Sequence, residues 1–286
     1  MPAHNLLDNS DFRNPVNQRG KNTYSDAGNE YTIDRWKTQY GTNMSIENGY
    51  INIFGNWELY QYIQNPKDGI YTFAARIRIN SVGQHQPVIY VNDGSGTGNE
   101  CLLDANTGEW KTYILQDNLS STTGETITFS LAPRGGNGTG SISVEWAAMY
   151  KGAYDASTLP AYQPKGYAAE LAECMRYYEN SWFGVGKTAT QEYFANVWSS
   201  TQADARIEFK QEKRISPTIT FYPIGTESNW KIFNNGYKFI DSVENKGRGG
   251  LSGFIARVTK GSSDSTTWTI GNTIQAQGHW EASADL

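Results

Sequence analysis

The chain is expected to be mainly β: an N-terminal jelly-roll β-sandwich, a short connecting helix and a C-terminal β-rich domain. Three observations predict this. Glycine (29), tyrosine (18) and tryptophan (9) are abundant and methionine (4) is scarce, the profile of a sandwich with long polar loops. Short runs alternating apolar and polar residues, bounded by Gly and Asn, recur along nearly the whole chain. Only one stretch has a convincing helical period.

That stretch is residues 159–181, LPAYQPKGYAAELAECMRYYENS. Tyr167, Leu171, Cys174/Met175 and Tyr178 fall at spacings of three and four, on one helical face. Glu170, Glu173 and Arg176 fall on the other, with Glu173 and Arg176 placed to support each other. Pro160 and Pro164 disfavour helix just before them, so the helix is expected to start near Gly166. It separates a jelly roll over 1–158 from a β domain over 182–286, with 159–181 as linker and helix.

In order along the chain, residues 5–20 lack a period, and Leu6, Leu7 and Phe12 are expected to tuck an extended arm against the first domain. Strands are expected at 31–37, 50–54, 57–64, 70–80, 87–92, 109–115, 126–132 and 141–150, about eight in some 150 residues, which fits a two-sheet jelly roll. In the run at 70–80, Tyr71, Phe73, Ala75, Ile77 and Ile79 share one face, with Arg76 and Arg78 opposite. The stretches DGSGTGN and PRGGNGTG between runs read as polar loops. After the helix, strands are expected at 182–186, 193–199, 205–210, 218–222, 230–233, 237–243, 254–259, 267–270 and through 273–286.

Charge and composition exclude several classes. A net charge of −5 and a pI near 5.3 disfavour nucleic acid and anionic membrane as partners. No tract reaches 18 apolar residues, so no membrane insertion is expected. The start MPAHNLLDNSDF has neither a basic stretch nor an apolar core, and a chain made and folded in a cytoplasm is expected. Cys101 and Cys174 are the only cysteines, and two reduced thiols are expected. His4, His85 and His279 lack zinc-ligand spacing. A calcium ion would find carboxylates at Asp8, Asp11 or Asp93 but no motif, so neither metal nor cofactor is expected.

Catalysis has no signature either. Glu58, Asp93, Asp104 and Glu145 are carboxylates a glycosidase could use, yet no spacing singles out a pair. GVGKT at 184–188 lacks the first glycine of a phosphate loop. The aromatic surplus points instead to binding: sugars present apolar C–H faces and hydroxyl rims, which suit aromatic planes flanked by amides and charges. Tyr60 and Tyr62, beside Glu58 and Gln64 on one face of a strand, form one candidate carbohydrate surface. The alternative is packing under a loop or in a subunit contact. Trp36, Trp57, Trp110 and Trp146 are expected in the core. The second candidate lies in the loops 225–236 and 244–252, with Trp230, Asn234, Asn235, Tyr237 and Arg248 as binding residues; solvated loops are the alternative there.

Several ordered motifs resemble bacteriophage and prophage tail-fibre or receptor-binding proteins. One is W-A-x-M-x-x-G at Trp146–Gly152, followed through a proline spacer by A-A-E-L-A-x-C-x-R-Y-Y at Ala168–Tyr178. Others are R-x-S-P-T-I-T-F-Y at Arg214–Tyr222, G-F-x-A-R-V at Gly253–Val258 and W-x-A-x-A-D-L at Trp280–Leu286. The chain's opening resembles carbohydrate-binding-module-like jelly rolls, and NPVNQRG at 14–20 resembles phage structural proteins. The resemblance implies a non-enzymatic virion protein of the tail or another surface appendage. It implies a homotrimer assembled in the host cytoplasm, with host cell-surface glycan and other virion proteins as partners. A structural collar or head fibre, or a glycan-hydrolase accessory module, are the alternatives.

Overall fold

The computed structural model describes residues 4–25, 28–63, 66–92, 98–104, 108–119, 127–136, 139–233, 236–247 and 250–285. By internal contacts the chain forms two units, Met1–Leu171 and Ala172–Leu286, divided within the one helix among the described residues.

The first unit is a jelly-roll β-sandwich. Its strands are β1 (Thr23–Tyr24), β2 (Lys37–Thr38), β3 (Thr42–Glu47), β4 (Tyr50–Gly55), β5 (Leu59–Ile63) and β6 (Gly69–Ser81). They continue with β7 (Val88–Asn92), β8 (Gly98–Leu102), β9 (Trp110–Leu119), β10 (Ile127–Ala132) and β11 (Ser141–Lys151). A six-stranded sheet runs β1-β3-β4-β11-β6-β9 and a five-stranded sheet β2-β5-β10-β7-β8. The period-two pattern of β6 does what its sequence requires: Tyr71, Phe73, Ala75, Ile77 and Ile79 all enter the core. There they meet Phe129 and Leu131 of β10 and Ile89 and Val91 of β7.

Leu7 and Phe12 are buried as the arm reading expects, but Leu6 is exposed. Asn9, at φ 49°, holds the arm: its side chain donates to the Val16 and Asp34 carbonyls (2.8 and 2.7 Å) and accepts from the Val16 amide (2.7 Å). Three strands were hidden from pattern reading, the first of them the two-residue β1. β3 carries mostly polar residues, and β8 arises at the end of the glycine-rich stretch taken as loop. The run expected at 31–37 shrinks to β2, because Arg35 sits at φ 72° and breaks the extended backbone.

Past β11 the chain lays a strap over the outer face of the six-stranded sheet. Tyr162 stacks on Trp146 with ring centroids 4.7 Å apart and 7° between planes. Trp146 is therefore buried under the strap, with Ala148, Tyr150 and Leu159, outside the sandwich interior. The Asp155 carboxylate ties the strap's first turn by accepting from the amides and hydroxyls of Ser157 and Thr158. Those bonds lower its pKa from 3.8 to about 2. Its contribution is complete above the ordinary carboxyl value and is lost as pH falls through the folded one. Asp155→Ala should accordingly flatten the acid limb of stability between about pH 4 and pH 2. Denaturant melts at stepped pH test this, and an unaltered acid limb would refute it.

The helix α1 (Tyr167–Met175) starts one residue after the expected Gly166. Its faces match the expected spacing in part, with Cys174, Met175 and Tyr178 buried. Glu170 is buried and accepts from the Asn9 amide at 2.5 Å, whereas Tyr167 is exposed.

The second unit holds β12 (Tyr178–Asn180), β13 (Glu192–Val197), β14 (Gln202–Glu208), β15 (Thr218–Tyr222) and β16 (Lys231–Phe233). It ends with β17 (Tyr237–Asn245), β18 (Gly253–Lys260), β19 (Thr273–Gln277) and β20 (His279–Ser283). Six of these close a barrel, β13-β14-β18-β17-β16-β19, and β12-β20-β15 form a small sheet. Six strands leave a narrow interior, so its lining is mostly small: Ala195, Ala203, Ala205, Ala256 and Ala276, with Val197, Ile207, Ile232, Val258 and the ring of Phe254. The expected strand at 182–186 is a turn. The one at 267–270 is absent too: Trp268 there is buried and donates its indole N–H to Asp264 at 3.1 Å.

Behind the small sheet lies an ion pair, Lys213 with Glu179, both side chains almost wholly buried. The Lys213 ammonium donates to Glu179 Oε2 (2.6 Å) and to the Met175 and Gln211 carbonyls (2.5 and 3.1 Å). Glu179 also accepts from the Lys210 amide at 3.1 and 3.2 Å. Burial pulls the Lys213 pKa below its usual value, and Glu179 opposes that shift.

Candidate functional site

The barrel wall dictates what its outer face can show. Strand alternation sends every second side chain outwards; the interior takes mostly alanines together with Tyr193 and Phe254, and Phe194 and Phe233 fall on outward positions. In β13, Ala195 points in and Phe194 out; in β16, Ile232 points in and Phe233 out. Cross-strand register then lines up Phe194 (β13), Gln275 (β19), Phe233 (β16) and Tyr237 (β17) in one row. The next row holds Glu192, Gln277, Lys231 and Phe239.

Four rings in these rows remain open to solvent: Phe194 at 74%, Tyr237 at 58%, Phe233 at 44% and Phe239 at 44%. Phe233 and Tyr237 meet edge to face at 5.1 Å. Polar groups run between them as a ladder. Glu192 accepts from Gln275 (3.2 Å) and Gln277 (2.8 Å), and the Gln277 amide also reaches the Tyr237 hydroxyl at 3.5 Å. Lys231 lies over the Phe239 ring at 5.1 Å and pairs with Glu227 at 2.5 Å. Lys231 is thereby matched by Glu227 while Glu192 is held by the two glutamines, and the chemistry of this surface is rings, amides and one carboxylate.

The residues proposed from sequence for this unit separate. Tyr237 is on the surface, as expected. Trp230 is not: it is 1% exposed, stacked on Tyr193 at 5.5 Å and 13°, with its indole N–H on the His279 carbonyl at 3.2 Å. It is a core residue because β16 begins directly after it and its ring fills the barrel mouth against Phe221. Asn234, Asn235 and Arg248 lie outside the described residues. Phe194, Phe233 and Gln275 were missed. Their signal, a large residue alternating with alanine or isoleucine, becomes legible only once the barrel's closed register is known.

In the first unit, Glu58, Tyr60 and Tyr62 do come together, on the outer face of the five-stranded sheet. Tyr60 and Tyr62 meet edge to face at 5.3 Å, and Lys37 lies 5.6 Å from the Tyr62 ring and 5.1 Å from Tyr31. Register continues the row through Ser130, Tyr90 and Glu100. Tyr60 is nonetheless buried, and burial raises its pKa, so its ring offers no stacking plane. Burial likewise lifts the Glu58 carboxyl, with Arg134 pulling against it. Gln64 and Asp93 lie outside the described residues. Trp57, expected in the core, is exposed just ahead of β5, and Trp110 sits on the outer face of the six-stranded sheet. The remaining carboxylates are engaged: Asp8 with Arg35 (3.1 Å), Asp11 with Arg13 (2.6 Å), Asp104 with Lys111 (3.0 Å) and Glu145 with Arg76 (2.8 Å).

No protein-family model matches the chain, and no curated protein matches it in sequence. Among solved structures it is similar to BiXyn10A CBM1 in its apo form, with 16% identity over 39% of this chain and 82% of that one, TM-score 0.27. It is also similar to the N-terminal CBM22-1-CBM22-2 tandem domain of Paenibacillus barcinonensis Xyn10C, with 11% identity over 100% and 99% of the two chains, TM-score 0.35. A third is a Paenibacillus sp. cycloisomaltooligosaccharide glucanotransferase complexed with cycloisomaltoheptaose, at 11% identity and TM-score 0.28; the match covers 95% of this chain and 46% of that one. Likenesses at these scores carry no argument about function.

Proposed function

We propose that the chain is a bacteriophage virion protein, a tail-fibre or baseplate receptor-binding subunit that holds host cell-surface glycan on the outer face of its C-terminal barrel. The observation that carries the binding reading is the double row on β13, β19, β16 and β17. Exposed rings there stand beside polar groups at strand spacing, so pyranose faces can stack while hydroxyls bond to Gln275, Glu192 and the Tyr237 hydroxyl. A protein partner would have to bury Glu192, Lys231 and Gln275 among the rings, a composition that interface cores avoid. The virion reading rests on the motifs at Trp146–Gly152, Ala168–Tyr178, Arg214–Tyr222, Gly253–Val258 and Trp280–Leu286. In this reading the protein is non-enzymatic and trimeric, so that weak sites gain avidity by repetition. Light scattering should return three times the chain mass, and a monomer at micromolar concentration would refute that part.

The binding test is a glycan array probed with the full chain and with Phe233→Ala/Tyr237→Ala. Loss of a stacking ring costs about 1–3 kcal/mol, so array signal and cell adsorption should fall tenfold or more. The melting temperature should hardly move, because both rings are already largely solvated. Undiminished binding by the double variant would sink the reading. So would a changed oligomer mass with binding intact, which would make the face a subunit contact.

A further inference from the structure

On the other unit, the outer face of the six-stranded sheet carries an arginine that the sandwich does not use. Register places Asn52 (β4), Ser143 (β11), Arg78 (β6) and Trp110 (β9) in one row across the sheet. Tyr50 and Trp110, at opposite sides of that row, lean over it until their rings meet at 5.8 Å. The Arg78 guanidinium lies against both, 5.1 Å from the Tyr50 centroid and 5.0 Å from that of Trp110. Two aromatic faces fix the plane of the cation without neutralising it.

The polar neighbours leave much of that cation unspent. Arg78 Nε donates to Asn80 Oδ1 (3.2 Å) and Nη2 to the Ser143 hydroxyl (3.4 Å), two of the five N–H donors a guanidinium has. Among the described residues no carboxylate lies within ion-pair distance of Arg78. The nearby Glu145 is matched by Arg76 at 2.8 Å, and the exposed Glu47 accepts from Ser45 at 2.7 Å. Arg78 is therefore a cation with no carboxylate in contact among the described residues, on a chain that is acidic as a whole.

Beside it is a preset hydrogen-bond network. Asn80 Nδ2 donates to Asn52 Oδ1 (2.9 Å) and to the hydroxyls of Ser143 (2.9 Å) and Ser141 (3.3 Å). Ser141 in turn donates to Asn52 Oδ1 at 3.0 Å. Ser143 is buried beneath this cluster, while the exposed Asn80 and the half-buried Asn52 and Ser141 stand at the surface with their side chains held in fixed directions. A pinned cation, two ring edges and a sheet-borne amide and hydroxyl cluster match one ligand chemistry: a sugar that carries a carboxylate.

We infer that Arg78, with Asn52, Asn80 and Trp110, forms a binding site for a carboxylate-bearing saccharide, separate from the barrel rows. The carboxylate takes the open guanidinium donors as a charge-assisted pair; the sugar hydroxyls take the asparagine and serine network. The barrel reading does not require this site, nor this site the barrel.

The full chain should be titrated calorimetrically with oligogalacturonate, its methyl ester, sialyllactose, lactose and acetate. At least one acidic saccharide should bind, at least tenfold tighter than its neutral counterpart, with affinity falling as salt rises. Acetate should bind far more weakly. Arg78→Gln should lower acidic-sugar affinity at least tenfold, and Arg78→Lys, which keeps charge but loses the planar fork, should recover only part. If Arg78→Gln lowers the melting temperature, Asn52→Ala/Asn80→Ala tests the site with the cation left in place, and several-fold loss is expected. Equal binding of acid and ester, no acidic saccharide bound, or acetate bound as well as the sugars would overturn the inference. So would acidic-sugar binding that survives Arg78→Gln or is lost instead in Phe233→Ala/Tyr237→Ala.

Discussion

Trp230→Ala is expected to destabilise the C-terminal unit by about 3–5 kcal/mol, the cost of emptying a fully buried indole site. The ring is held on every side: Tyr193 stacked, Phe221 edge-on at 5.5 Å and 87°, and the His279 carbonyl bonded to its N–H. Gly278 shows how close the fit is, since a Cβ there would stand 2.2 Å from the indole. Collapse into the hole is further resisted by the closed barrel, whose strands have no edge along which to shift. Denaturant unfolding followed by near-ultraviolet circular dichroism reads the loss. An unchanged midpoint in Trp230→Ala would mean that the ring is not core and would return it to the list of surface binding residues. Gly278→Ala should push the same way through strain, and Trp230→Phe should recover part of the stability.

Lys213→Ala should cost a similar amount, about 3–5 kcal/mol, for a different reason. The substitution strands the Glu179 carboxylate in the interior. It also orphans the Met175 and Gln211 carbonyls, which the ammonium now satisfies. The loss therefore measures an uncompensated buried charge more than the worth of the pair itself. Lys213→Met combined with Glu179→Gln removes both charges while keeping an acceptor for the Lys210 amide, and should restore much of the stability. A double variant no more stable than Lys213→Ala would show that the lost carbonyl bonds, and not the stranded charge, dominate.

How much of this was readable from the chain depends on whether a feature is local. The alternation in β6 and the exact span of β15 were legible because each strand displays its own two faces. The helix start was legible because two prolines precede it. Trp230 was misread because its neighbours Asn229, Asn234 and Asn235 give a loop-like composition, while its partners Tyr193 and His279 lie far away in sequence. Phe194 and Phe233 were passed over for a related reason. Aromatics in alternating runs usually face a core, as Tyr193 and Phe254 do in this barrel, and only the closed register shows that Phe194 and Phe233 take the outward positions. Arg78 was correctly placed opposite the apolar face of its strand, but Tyr50 and Trp110 reach it across the sheet from 28 and 32 residues away in the chain, and no pattern in sequence announces that meeting.

The arrangement of β19 and β20 bears on the order in which this protein can come into being. Gly278 divides one continuous segment into a strand that closes the barrel between β13 and β16 and a strand that lies at the centre of the small sheet between β12 and β15. Until residues 273–283 have left the ribosome, the barrel stands open with two bare edges and β12 and β15 have nothing to pair with. Tyr178 waits for Ser283 across some hundred residues of chain. The second unit must then fold after synthesis of this region is complete, in one cooperative closure, while the sandwich ahead of it has long had all its strands. A nascent chain arrested before Thr273 should show a protease-resistant first unit attached to a digestible remainder, and in the cell those exposed edges are where a chaperone would be needed.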